Sequence, residues 1–146
     1  YSGTVSLAYV EVDKKTGKIE VLDLLNVQDA GTIINPILAQ GQVEGGMAMG
    51  VSYGLGEELL YDVKTGKPLN NNLLDYKMPT FIDVPELRVA FVEPMDAIGP
   101  FGNKSLGEPP LGTPAPAIHN AVTDALGVAI NSLPMNPQKV LEALTK

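Results

Sequence analysis

The chain of 146 residues contains no cysteine. Disulfides, thiolate zinc sites and iron–sulfur clusters are therefore excluded within it, and the absence fits a reducing compartment such as the cytoplasm. Its single histidine, His119, has no second histidine or cysteine to complete a metal site, so a structural or solvent-facing role is expected. There is no run of basic residues and the net charge is −7, which argues against nucleic acid and against an anionic membrane surface as partners. No apolar stretch is long enough to span a bilayer, and no signal-peptide pattern is visible. Also missing are GxxxxGK[ST], a GxGxxG set between a strand and a helix, and GxSxG. With these constellations gone, what remains is a site built on a single acid.

What is present is a globular composition, 45% hydrophobic and only 18% charged, suited to one domain spanning residues 1–146. The start at Tyr1 leads straight into a strand pattern, which suggests a piece of something longer or a processed subunit. Ser2–Val12 alternates with apolar residues on both faces, as in a strand buried on both sides. The polar turn "DKKTGK", with Gly17 at a position favouring positive φ, leads into a second strand over Ile19–Gln28, completing a β-hairpin. Asn35 is suited to cap a helix that begins at Pro36. A short strand over Glu57–Tyr61, a second polar turn, an irregular stretch and a strand over Leu87–Val92 follow. Residues 94–117, rich in proline and glycine, read as a long ordered loop. Helices are expected over Pro114–Ala129 and Pro137–Thr145, with Val140, Leu141 and Leu144 facing inward. The fold class is α+β: a mixed sheet with a β-hairpin, a glycine-rich helix, a long ordered Pro/Gly loop and two C-terminal helices.

Two features stand out. The helix after Asn35 carries Gly45, Gly46, Gly50 and Gly54, each costing roughly 1 kcal/mol against alanine. Gly46, Gly50 and Gly54 form one smooth stripe, which suits close packing on another element. The second feature is Glu108 in "GEPP". Glycine before it admits a ligand close to the backbone. Pro109 biases Glu108 toward an extended conformation, and a helix starting near Pro114 would offer free N–H groups. Partly desolvated, such an acid could serve as a base near neutral pH.

"NPILAQGQVEGGMAMGVSYGLGEELLYD", "YKMPTF" and "KSLGEPPLGTPAPAIHNAVTDALG", in that order, resemble the C-terminal part of the molybdopterin-binding subunit of molybdenum hydroxylases, the xanthine dehydrogenase / aldehyde oxidase family. The resemblance covers nearly the whole chain. It implies that Glu108 is the catalytic base beside molybdenum, taking a proton so that a water-derived oxygen can be transferred to an electron-poor carbon. It implies that Gln42, in "GQVEG", contacts the pterin. Lys104, Ser105, Leu106 and Gly107 would approach the cofactor largely through backbone, and Asp29 matches a further contact position. No metal ligand is implied in this chain. The cofactor would be molybdopterin with molybdenum, shared with upstream segments and absent from the isolated chain. Its nucleotide form stays open, the cytosine dinucleotide among the options. The glycine-rich helix would let the planar cofactor and its anionic tail approach backbone N–H groups. Expected partners are the rest of the molybdenum subunit, Fe–S and FAD subunits or domains, and a small substrate: a purine, an N-heterocycle or an aldehyde. Such a chain alone should be inactive. Two other readings remain open: a non-catalytic module completing a partner subunit, and a metal-free acid/base enzyme using Glu108.

Overall fold

In a computed structural model, residues 1–145 are described. Three strands form one mixed sheet in the order β1 (Gly3–Val12), β2 (Ile19–Asp29), β3 (Glu86–Val92). β1 and β2 pair antiparallel and β3 joins β2 in parallel. The expected hairpin is present. Its turn closes because the Asp13 carboxylate accepts from the Lys15 N–H and the Thr16 hydroxyl, while Gly17 takes φ +76°. The same turn recurs at Asp62–Lys67, where Asp62 accepts from the N–H groups of Lys64 and Thr65 and Gly66 takes φ +69°. Both sequences read Asp-x-Lys-Thr-Gly-Lys, and in both an Asp side chain substitutes for backbone partners.

Helix α1 (Pro36–Leu55) starts as expected, with the Asn35 side chain accepting from the Leu38 N–H. A short α2 (Pro109–Gly112), then α3 (Pro114–Leu126) and α4 (Pro137–Leu144), complete the chain. α3 stops three residues earlier than its pattern suggested because Gly127 adopts a left-handed C-cap at φ +73°. The core lies between the inner face of the sheet and the helices. Leu24, Val43, Met47, Ile118, Val122, Met135 and Val140 are fully or almost fully buried there.

Three expectations are corrected. β1 is covered on one side only: Val5, Leu7 and Tyr9 lie on a bare outer face, each at least 60% exposed, and the described residues include nothing that packs there. Glu57–Tyr61 is no strand. A single bridge joins Tyr61 to Pro68; proline has no N–H with which to extend the ladder. The buried Asn70 side chain takes over that role, accepting from the Leu60 N–H and donating to the Glu58 carbonyl. Of the three α4 residues expected to face inward, Val140 is buried and Leu144 packs against the core, while Leu141 is exposed.

The glycine stripe does pack closely. A Cβ added to Gly46 would lie 2.8 Å from the Pro110 side chain, and one on Gly50 would lie 2.6 Å from Pro114. The prolines of the 109–116 stretch are thus the knobs for which α1 keeps its glycine holes. Pro110 and Pro114 are fully buried as a result.

Candidate functional site

β2 ends at Asp29, and the chain then meets the loop 102–108 edge to edge. The Thr32 N–H donates to the Gly102 carbonyl at 2.9 Å and the Lys104 N–H to the Ala30 carbonyl at 2.8 Å. Gly31, at φ +62°, bridges Asn103 so closely that a side chain would strike the Gly102 carbonyl. This seam puts the Lys104 ammonium 2.6 Å from the Asp29 carboxylate. The Gly31 N–H donates to the other carboxylate oxygen at 3.2 Å. Lys104 holds the Asp29 carboxyl below the usual carboxylate range, with the Gly31 N–H adding to the effect. Two of the expected cofactor contacts are therefore engaged with each other.

One turn into α1 and beyond, Gln42 projects toward the same loop. Its side-chain N–H donates to the Gly107 carbonyl at 2.8 Å, so residues far apart in sequence meet at the glycine beside Glu108. Between the two groups, the Ser105 carbonyl accepts from the Ser2 hydroxyl at 2.9 Å, and half-buried Leu106 rests on the core. Lys104 and Leu106 also line a cavity of about 260 Å³ with Ile34, Asn35, Leu38 and Asn103. Sequence reasoning used Asn35 only as a helix cap and missed the other three. The tight seam at Gly31 and Asn103 has no signal in either segment alone.

Glu108 differs from expectation in three respects. It is not extended but αR, at φ −90°, ψ −28°. Pro109 is the first residue of α2, and the Leu111 N–H closes back on the Glu108 carbonyl at 3.0 Å; this helix start outweighs the pre-proline preference. The helix starts nearby are poor in donors, since Pro109, Pro110, Pro114 and Pro116 have no N–H. Finally, Glu108 is exposed, so residues 1–145 do not desolvate it. Its carboxylate makes no hydrogen bond or ion pair among the described residues.

The surroundings of Glu108 and Gln42 are bare backbone. Gly41 and Gly45, flanking Gln42 on the exposed side of α1, and Gly107 opposite them have no atom within 4 Å of where a Cβ would lie. A side chain at any of the three would take up this open ground. Of the glycines read as room for a cofactor, Gly45 fits; Gly46 and Gly50 are filled by prolines, and Gly54 abuts Ala115. No cluster of three His, Cys, Asp or Glu able to hold a metal occurs among the described residues. A group that brings its metal on its own organic ligand, and meets protein through an amide and open backbone, fits this donor set. His119 plays no part: its Nε2 lies 3.0 Å from the Ile130 carbonyl, away from this loop.

Comparison with known proteins bears on the same surface. The family model described as "Molybdopterin cofactor-binding domain" matches residues 1–85, including Gln42. The xanthine dehydrogenase molybdenum-binding subunit of Escherichia coli O157:H7 is 52% identical over 131 residues, covering 90% of this chain and 17% of that relative. The nicotine 6-hydroxylase large subunit of Paenarthrobacter nicotinovorans is 37% identical over 137 residues, covering 92% and 17%. Among solved structures, the aldehyde oxidoreductase of Desulfovibrio gigas superposes with a TM-score of 0.90 at 36% identity, over 99% of this chain and 16% of that one. Quinoline 2-oxidoreductase of Pseudomonas putida 86 gives 0.87 at 34% identity, over 94% and 18%. The chain thus spans about a sixth of the length of these relatives.

Proposed function

Because the chain belongs to the molybdopterin cofactor-binding domain family, we propose that it is the C-terminal portion of the molybdenum-binding region of a hydroxylase and supplies that enzyme's general base. The observation that carries this reading is the junction of Gln42 with Gly107 beside an unpaired, exposed Glu108, on ground cleared by Gly41 and Gly45. When bound, the molybdenum cofactor supplies the metal and the electron-accepting chemistry, with water as the oxygen source. Gln42 would hold the pterin: its side-chain N–H donates to the Gly107 carbonyl, and the residue is otherwise exposed. Lys104, Ser105, Leu106 and Gly107 form a shelf presenting backbone, and Asp29 fixes Lys104 within it. Glu108 takes up one proton on a carboxylate oxygen. Its backbone is held from both sides, which places the root of the side chain. The rest of the molybdenum subunit would desolvate Glu108 and cover the bare outer face of the sheet.

The substrate class is a purine, an N-heterocycle or an aldehyde, and electrons would leave through Fe–S and FAD partners. The cytosine dinucleotide form of the pterin and a cytoplasmic setting belong to the same proposal, as does inactivity of the isolated chain. The test is elemental and pterin analysis of the chain purified with the remainder of its subunit. Molybdenum and a pterin nucleotide near one per chain are expected, both reduced by Gln42→Ala. A stable complex with neither would contradict the reading and favour a non-catalytic module.

A further inference from the structure

The inner face of the sheet changes character along its length. At one end it is apolar, with Val10 and Val12 beside Val21 and Leu24. Toward the loop carrying Glu108 it becomes polar. Thr4 stands opposite Gln28 and Ser6 opposite Asn26 in the β1–β2 register. Asn26 and Gln28 are completely buried, and a buried amide is costly unless its hydrogen bonds are used. Their bonds lead out of the sheet to one place. Thr4 donates to Gln28 Oε1 at 2.6 Å. The Gln28 amide spans the Gly3 and Asp29 carbonyls at 3.2 Å and reaches the Ser2 hydroxyl at 3.4 Å, and Ser2 holds the Ser105 carbonyl. Asn26 donates to the Ser6 hydroxyl at 3.2 Å and reaches the Pro110 carbonyl at 3.5 Å. Ser6 lies 2.7 Å from the Thr113 hydroxyl.

We propose that the Thr4–Gln28 and Ser6–Asn26 cross-strand pairs are positioning residues, a buried polar ladder that holds the segment Ser105–Thr113 at both ends and so fixes Glu108. This rests on the reading of Glu108 as the base. The ladder grips the segment ahead of Glu108 through Ser2 and behind it through Asn26 and Ser6; Gln42 grips it from α1 in between. The backbone on either side of Glu108 is thus held, while its exposed carboxylate has no partner among the described residues. Keeping this grip has a cost: Asn26 Oδ1 is buried with no donor among the described residues. A sheet selected for stability alone would fill these four positions with apolar side chains, as it does at the other end.

The test is amide hydrogen exchange on the full chain, with Ser6→Ala, Asn26→Ala and the conservative Ser6→Thr. Ser6→Ala removes one hydroxyl and carries the test where Asn26→Ala fails to fold. Exchange across residues 105–113 should rise roughly fivefold in Ser6→Ala, as for the loss of one hydrogen bond. Exchange in α4 should not change, and Ser6→Thr should restore the segment. In the cofactor-loaded enzyme the same variant should lower kcat with KM unchanged. Unchanged exchange over 105–113, or an equal rise in α4, would overturn the proposal. The exchange readout needs no cofactor, so it is independent of whether Glu108→Gln abolishes turnover.

Discussion

At the scale of single residues, the conformation and surroundings of Glu108 were not legible. "GEPP" singles out Glu108 because glycine and proline restrict backbone on both sides. The local rule for a residue before proline then predicted an extended conformation, and a one-turn helix closing on the Glu108 carbonyl outweighed it. The Asp29–Lys104 pair was invisible because each residue was read singly. It makes its own prediction. Lys104 holds the Asp29 carboxyl below the usual value, so the folded-state pKa lies under the unfolded one. The stabilisation is therefore complete above about pH 4, the ordinary carboxylate value, and is lost as pH falls through the depressed folded value. Asp29→Asn should remove that part of the acid sensitivity, so urea unfolding followed from pH 7 to pH 3 should show a shallower loss of stability than in the unmodified chain. An unchanged slope would mean the pair contributes nothing.

At the scale of elements, the hairpin, the capped helix α1 and the final two helices follow from alternation, turn chemistry and caps that sit within a few residues. The failed strand at Glu57–Tyr61 depended on Pro68 and Asn70, which lie across a turn. The glycine stripe could be read as a packing surface, but its partner could not. Knobs and holes lie on segments some sixty residues apart, and only the fold pairs Gly46 with Pro110 and Gly50 with Pro114. The glycines of α1 thus divide into two groups with opposite expected behaviour. Gly50→Ala forces a methyl against Pro114 and should destabilise the chain by about 1–3 kcal/mol, seen as a lower thermal midpoint. Gly45→Ala meets no atom and should raise stability by up to about 1 kcal/mol through helix propensity, while lowering molybdenum content in the assembled enzyme. If both variants behaved alike, the division between glycines packed on prolines and glycines on open ground would fail.

At the scale of the whole molecule, β1 carries the composition of a strand covered on both sides, yet Val5, Leu7 and Tyr9 are bare. Sequence alternation records burial in whatever assembly a strand serves, and one chain's fold shows only the part it covers itself. Phe81 and Ile82, both more than 90% exposed, are further apolar side chains without a partner among the described residues. Leu7→Lys should therefore leave the melting temperature of the isolated chain within a few degrees, because the position is exposed. It should sharply reduce co-purification with the remainder of the molybdenum subunit, since a lysine placed on that face would be buried there unpaired. Undiminished co-purification would mean that this face is not where the subunit meets the chain.

Glu108 is proposed above as the base in a molybdenum enzyme assembled around this chain. The most direct measurement is turnover of Glu108→Gln in the cofactor-loaded complex, alongside its molybdenum content. Turnover should fall by ~10²–10⁴, the range for loss of a general base, with molybdenum content unchanged; turnover within a few-fold of the parent at equal molybdenum loading would mean that Glu108 is not the base.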